Sequence, residues 1–474
     1  MSELNRQDVL DACRYFESWL QFQQRSERIP GVQAAVLHDE AIVLSCAHGV
    51  SSTTTGSPLR SDHLFRVASH SKTFTATALM QLVERDEVRL DDTVGDRLPD
   101  LASSPIAGVT MRELLSHAGG VVRDGWDGDY WQLYREFPDR AELVRVAGDA
   151  SDVLPRNDTF KYSNIGYSLL GLVIEAASDQ SYDAYVRDHI TGPLGLTDTG
   201  SDYDVERSDD YAGGHTALSY ADERVPIQHV DTRAMAPATG CFSTASDLVQ
   251  YAAAHFVGDE RLISDASRRQ MQHGQWKVTG TESEYGFGFE VAVIGERRVL
   301  GHGGGYPGHI TRTFFDPVDR LAVSVFTNAI DGPALGWATV AVKLVDLAAS
   351  GDRRNEHVGG SPDALRATFC GRFATLWGVY DIVDLGGRLF QLSPVAADPT
   401  VSVTRLEVID ADTLKIVETA GFGSPGERLT FKRDETGAVM SVRGGAANTA
   451  YPIDAYRAAV ASCDVVSVGN PIVP

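Results

Sequence analysis

Hydrophobic and polar positions along the chain change their period twice, and the changes divide it. Residues 6–24 place Val9, Cys13, Phe16 and Leu20 at three- and four-residue spacing, which predicts an amphipathic helix ended by Pro30-Gly31. Two β runs follow, Val32–Leu37 and Ala41–Cys46, joined by His38-Asp39-Glu40 as a hairpin. From Ser71 to Glu84 the positions Phe74, Ala78, Leu79 and Leu82 are again helical, as are residues 241–256 and 333–349. Val299–Gly301, Ile310–Phe315 and Ala322–Phe326 read as strands, with a turn at Asp316-Pro317. Strands at both ends of this region with a helix-rich stretch between them predict an α+β fold.

A polar, Gly/Pro-rich break covers residues 351–362, and beyond it the period becomes two. Trp377–Asp384, Arg388–Ser393, Val403–Ile409, Thr413–Glu418, Glu427–Arg433 and Ala438–Arg443 are short strands with turn residues between them. They predict a small antiparallel β-barrel. The expected division is a catalytic domain over 1–354, a linker over 355–362 and a barrel domain over 363–474.

Composition narrows the partners. The 474 residues carry a net charge of −23, which opposes nucleic acid and anionic membranes as partners. No apolar run approaches the length of a spanning helix, and the N-terminus lacks a basic start and an apolar core. Five scattered cysteines (Cys13, Cys46, Cys241, Cys370, Cys463) form no C-x-x-C pair, so the expected location is cytoplasmic, without disulfides or a zinc site. Only six lysines stand against 36 arginines, which makes a well-placed lysine informative.

Three segments carry candidate chemistry. Ser69 and Lys72, in Ala68-Ser69-His70-Ser71-Lys72, are three apart at a helix start and share a face. A lysine desolvated there has a lowered pKa and can take the serine proton. The positive end of the helix dipole favours an acyl oxyanion. Tyr162-Ser163-Asn164 precedes an apolar helix, so a phenol and a carboxamide can project into one cleft. Leu300-Gly301-His302-Gly303-Gly304-Gly305 runs an apolar strand into glycines whose bare N–H groups suit an oxyanion, with His302 to orient substrate or assist proton transfer. His70 and His117 read as structural. No dinucleotide fingerprint, Walker lysine or G-x-S-x-G elbow is present.

Together, S-x-x-K, Tyr-x-Asn and a His-x-Gly strand resemble the motif set of the serine β-lactamase and penicillin-binding-protein superfamily, in its class-C-like branch. The spacings of 93 and 140 residues between them agree. So do Leu114-Leu115-Ser116-His117-Ala118-Gly119-Gly120 and Ala238-Thr239-Gly240-Cys241-Phe242-Ser243-Thr244. Residues 363–474 resemble the lipocalin-like domain appended to some members. The resemblance implies an antiparallel sheet flanked by helices beside an all-helical lobe. It implies Ser69 as nucleophile, with Lys72 and Tyr162 sharing the base role, and the N–H groups of Ser69 and Gly305 beside Gly304 as oxyanion donors. Asn164 would hold the substrate amide, Trp126 would line the acyl pocket, and no metal or organic cofactor would be needed.

His302 departs from the lysine usual in the third motif, so the chain resembles the esterases, D-specific aminopeptidases and amidases more than resistance enzymes. The expected function is hydrolysis of a small ester, amide or short peptide, D-configured ones included. Acyl transfer or thioesterase-type cyclisation from the same acyl-enzyme, and a non-catalytic ligand binder, are the alternatives, with homo-oligomerisation left open.

Overall fold

The computed structural model describes residues 4–149, 154–350, 363–421, 423–444 and 448–462. The expected linker at 355–362 and Cys463 lie outside the described residues. Contacts gather the chain into two compact units, one of Arg28–Thr339 and one of Met1–Glu27 with Val340–Pro474. The N-terminal helix α1 (Arg6–Ser26) therefore groups with the C-terminal barrel.

The larger unit is built on an eight-stranded antiparallel sheet. Its strands are β1 (Gly31–His38), β2 (Ala41–Gly49), β3 (Trp276–Lys277), β4 (Glu284–Tyr285), β5 (Glu290–Ile294), β6 (Arg297–Tyr306), β7 (His309–Asp316) and β8 (Leu321–Thr327). Their order is β2-β1-β8-β7-β6-β5-β4-β3. The N-terminal hairpin thus closes onto the last strand, with Val32 opposite Thr327 and Leu37 opposite Ala322. β1 and β8 are buried at every position, which explains their continuous apolar reading. β2 is an edge strand and is buried only at Cys46.

The helical part centres on α2 (Ser71–Glu84), buried around its whole circumference through Leu82. It packs against α3 (Asn164–Ser178) and the short α4 (Ala236–Thr239), while α5 (Ala245–Ala253) lies on β1 and β8. The helix expected from 241 begins only at Ala245. Thr244 caps it by accepting the Asp247 N–H, and Phe242–Ser243 pairs with Phe65–Arg66 as a short ladder. The strand expected at Val299–Gly301 continues to Tyr306, because every residue from Leu300 onward pairs with β7. Pairing across the sheet overrides the weak strand preference of three glycines.

In the smaller unit eight strands close into a barrel: β9 (Gly371–Thr375), β10 (Gly378–Leu385), β11 (Arg388–Leu392), β12 (Thr404–Asp410), β13 (Thr413–Glu418), β14 (Arg428–Arg433), β15 (Val439–Arg443) and β16 (Thr449–Pro452). Six match the period-two runs. The other two, β9 and β16, close the barrel through Phe373–Pro452 and Ala374–Tyr451. Its interior is filled by side chains such as Phe373, Ile382, Leu406, Leu414 and Phe431, as an eight-stranded barrel allows. α1 is tied to this unit by the Trp19 Nε1–H donating to the Ala396 carbonyl at 3.3 Å and the Gln23 amide donating to the Pro394 carbonyl at 2.6 Å. Among the described residues no helix is long and apolar enough to cross a membrane.

Candidate active site

The turn that carries Ser69 is fixed from behind. Arg66 is fully buried; it donates to the Val230 carbonyl at 2.6 Å, the Gly240 carbonyl at 3.1 Å and the Asp202 carboxylate at 2.9 Å. The Val67 N–H donates to the Cys241 carbonyl at 2.9 Å. Ala68 then takes a left-handed φ of +45°, a strained conformation for a residue with a Cβ. It is held by the Ser71 hydroxyl donating to the Ala68 carbonyl at 2.6 Å, while Ser71 accepts the Cys241 N–H at 2.9 Å. A single 3₁₀ turn, Ala68–His70, leads directly into α2. His70, Ser71 and Lys72 are buried, and Ser69 is left half-exposed at the N-terminal end of the helix.

Lys72 follows one turn later, without solvent exposure, and its Nζ lies 3.3 Å from the Ser69 hydroxyl. It donates to Asn164 Oδ1 and to the Ala238 carbonyl, each at 2.7 Å. Burial holds its pKa well below the ordinary lysine range, opposed by the Asp124 carboxylate and assisted by Arg123. A neutral amine has two hydrogens and one lone pair. In that form the two carbonyl acceptors would take the hydrogens and leave the lone pair for Ser69.

Tyr162 and Asn164 reach this point because α3 starts here. Ser163 is the N-cap, accepting the Gly166 N–H at 2.8 Å, and its own hydroxyl donates to the Val122 carbonyl at 2.7 Å. The Tyr162 hydroxyl donates to Ser69 Oγ at 2.9 Å. Burial raises the pKa of this phenol, so it stays protonated through the neutral range. Lys72 Nζ also lies 4.7 Å from the centre of the Tyr162 ring.

The glycine strand β6 runs past this turn. A Cβ on Gly304 would lie 2.1 Å from the Val67 carbonyl oxygen, so only glycine lets β6 approach the serine turn so closely. Gly305 is exposed. β5 pairs with β6 only as far as Gly301, opposite Glu290, which leaves the edge from His302 to Tyr306 without a strand partner on that side among the described residues. His302 itself is buried. Its Nδ1 lies 2.6 Å from the Gly303 carbonyl and its Nε2 3.2 Å from the Tyr285 hydroxyl. A carbonyl only accepts, so Nδ1 carries the hydrogen and Nε2 accepts from Tyr285. Burial lowers the His302 pKa to about 4, against the pull of Glu290, so the ring is neutral.

The structure therefore brings Ser69, Lys72, Tyr162 and Asn164 into one hydrogen-bonded cluster. Gly304 sits behind the serine turn and Gly305 on an open edge, while His302 has both nitrogens engaged. Trp126 is 74% exposed. His70 donates from Nδ1 to the Val67 carbonyl at 2.9 Å, and its Nε2 lies 3.1 Å from the Thr313 hydroxyl. His117 accepts the Ser163 N–H at 3.1 Å, and its ring stands 4.4 Å from that of Tyr162. The sequence reading did not single out Asp124, Tyr285 or the Ala238 carbonyl. A carbonyl has no signature in a sequence. Asp124, two residues before Trp126, stands in a polar segment like many others.

Three comparisons bear on this geometry. A family model described as beta-lactamase matches residues 16–341. The chain is 31% identical to penicillin-binding protein 4 of Amycolatopsis lactamdurans over 245 residues, 51% of this chain and 62% of that one. It is 32% identical to esterase EstB of Burkholderia gladioli over 192 residues, 37% of this chain and 48% of that one. The chain thus spans less than two thirds of the length of these relatives. The octameric penicillin-binding protein homologue from Pyrococcus abyssi is similar in fold, with a TM-score of 0.65, 21% identity, and coverage of 92% of this chain and 99% of that one.

Proposed function

The chain belongs to the beta-lactamase family, and on that premise we propose that it is a serine hydrolase that cleaves an ester or amide bond of a small acyl compound or short peptide, through an acyl-enzyme on Ser69. The observation that carries this reading is the placement of Lys72 Nζ, 3.3 Å from the Ser69 hydroxyl and 2.7 Å from each of two carbonyl acceptors, so that a neutral amine with its hydrogens on the carbonyls keeps its lone pair for Ser69.

In the first step Ser69 Oγ forms a bond to the substrate carbonyl carbon as its proton passes to the Lys72 amine. The oxyanion is received by the backbone N–H groups of Ser69, in the 3₁₀ turn that leads into α2, and of Gly305, on the open edge of β6. Tyr162 is a protonated phenol at neutral pH, so its part is donation: as the bond between the carbonyl carbon and the leaving oxygen or nitrogen breaks, it gives that atom its proton and takes one back from the Lys72 ammonium, which returns to the neutral amine. Water then attacks the acyl-enzyme with the same amine as base, releasing the acid and restoring Ser69. His302, neutral and held by Gly303 and Tyr285, offers no cation to a substrate carboxylate. This supports uncharged acyl esters and amides over carboxylate-bearing β-lactams, and it keeps esterase-type relatives ahead of penicillin-binding ones as guides to substrate.

The test is a panel of p-nitrophenyl esters, D- and L-aminoacyl anilides and a chromogenic cephalosporin, run on the native chain and on Ser69→Ala. Turnover of esters or anilides above the cephalosporin, lost in Ser69→Ala together with fluorophosphonate labelling, is expected. Labelling that persists in Ser69→Ala assigns the nucleophile to another serine, and preference for the cephalosporin overturns the substrate reading.

A further inference from the structure

We propose that Asp124 is a positioning residue of this site: its carboxylate fixes which end of the Asn164 carboxamide faces Lys72, and it holds a negative charge one amide away from the Lys72 amine. The inference rests on the reading of Ser69 and Lys72 given above and deepens it.

A carboxamide has an accepting end and a donating end of nearly equal size, so its orientation is decided by its neighbours. Asn164 is buried and donates from Nδ2 to Asp124 Oδ1 at 2.6 Å. A carboxylate only accepts, so that contact turns Oδ1 of Asn164 towards Lys72, where it takes an amine hydrogen at 2.7 Å. The reversed amide would direct an N–H at the Lys72 nitrogen and compete with Ser69 for its lone pair. Asp124 is in turn held in place. The Trp131 indole N–H donates to Oδ1 at 3.1 Å, Arg123 Nε donates to Oδ2 at 3.1 Å, and the Tyr130 hydroxyl donates to the Asp124 carbonyl at 2.8 Å. The segment is stitched to α3 as well, because the Arg123 carbonyl accepts the N–H groups of Asn164 at 2.9 Å and Ile165 at 3.1 Å.

Lys72 faces further charged or titratable groups from every side. On the α3 side these are Tyr162 and Tyr167; His117 and Arg123 come from the preceding loop, and His302 from β6. Asp124 acts on it as well: its charge favours the ammonium form of Lys72, and that of Arg123 opposes it. Burial alone would leave the amine neutral to lower pH; the carboxylate moderates this.

The experiment measures kcat/KM for a p-nitrophenyl ester against pH on the full chain, for wild type, Asp124→Asn and Asp124→Ala, with melting temperature recorded for each. Removing the negative charge lets Lys72 stay neutral at lower pH, so in both variants the acid limb should move to lower pH by on the order of one unit. Asp124→Ala also frees the Asn164 amide, and its plateau should fall about tenfold or more, since a disordered base is a poorer one. Asp124→Asn can still accept the Asn164 Nδ2–H and should recover most of that loss while keeping the shifted limb.

An acid limb unmoved in Asp124→Asn overturns the proposal. So does a loss of activity in both variants that tracks melting temperature alone, which is what a merely structural aspartate would produce. If Asp124→Ala does not fold, the limb of Asp124→Asn decides alone. Fluorophosphonate labelling of Ser69→Ala separates the two readings: persistent labelling rejects the nucleophile itself, whereas lost labelling with an unmoved limb rejects only the role of Asp124.

Discussion

Gly304→Ala is the sharpest test of how the glycine strand builds the site. The added Cβ would lie 2.1 Å from the Val67 carbonyl oxygen and 2.4 Å from the Thr311 hydroxyl, where ordinary contact begins at 3.4 Å. Thr311 can rotate away. The Val67 carbonyl cannot, because it is backbone, accepts from His70, and belongs to a residue whose N–H is bonded to the Cys241 carbonyl at 2.9 Å. β6 and the serine turn must therefore part by about 1.3 Å, the difference between 3.4 and 2.1 Å. A shift of that size separates Ser69 from the oxyanion donor proposed on Gly305, and ångström-scale misplacement costs about 10²-fold in rate. Overpacking adds a stability cost of about 1–3 kcal/mol, a few degrees in melting temperature. The assay is kcat/KM for a p-nitrophenyl ester, the fluorophosphonate labelling rate, and a thermal melt. Gly305→Ala is the control for stability: its Cβ meets nothing closer than Ile310 Cδ1 at 3.7 Å, and it should change stability by less than about 0.5 kcal/mol. Wild-type kcat/KM and melting temperature in Gly304→Ala, or an equal stability loss in Gly305→Ala, would refute the close-approach argument.

Other consequences are open to measurement. Because burial lowers the Lys72 pKa and raises that of Tyr162, kcat/KM should rise through a midpoint well below the usual lysine range and stay level into the alkaline range; a rise that waits for the usual lysine range contradicts a neutral Lys72 as base. Lys72→Ala should cost about 10²–10⁴-fold in kcat with the fold retained, as circular dichroism would verify. Tyr285→Phe removes the donor to His302 Nε2 and strands a buried acceptor, so chemical denaturation should show a loss of about 1–3 kcal/mol; unchanged stability would reject the assigned tautomer. Burial lowers the pKa of His302 and His229 to about 4 and of His70 and His255 to about 3. Between these values and 6.5 the unfolded chain binds more protons than the folded one, so stability is lost as pH falls through that window, by up to about 1.4 kcal/mol per pH unit for each ring. Melting temperatures that hold constant from pH 6.5 to 4.5 would contradict that sign.

Local spacing made much of the molecule legible in the sequence. Ser69 and Lys72 meet because residues three apart share a helical face, and that follows from backbone geometry alone. The range of α2 follows from its apolar period, as does an apolar helix after Tyr162-Ser163-Asn164, although α3 begins already at Asn164 with Ser163 as its cap. Six barrel strands were visible because their alternation of buried and exposed positions is itself the fold's requirement. β9 and β16 were not, because they are short, and one ends in proline; what makes them strands is pairing with β10 and β15 and with each other, the last across 78 residues between Phe373 and Pro452. The glycines of β6 likewise become strand by pairing with β7. Only the tertiary structure decides the protonation pattern. Ala238 brings a backbone carbonyl to Lys72 from 166 residues away, and Asp124 orients Asn164 from 40 away. A sequence records which groups can donate or accept. Which of them lose water, and which partner each then finds, depends on burial and distance, and these exist only once the helices and the sheet have packed together.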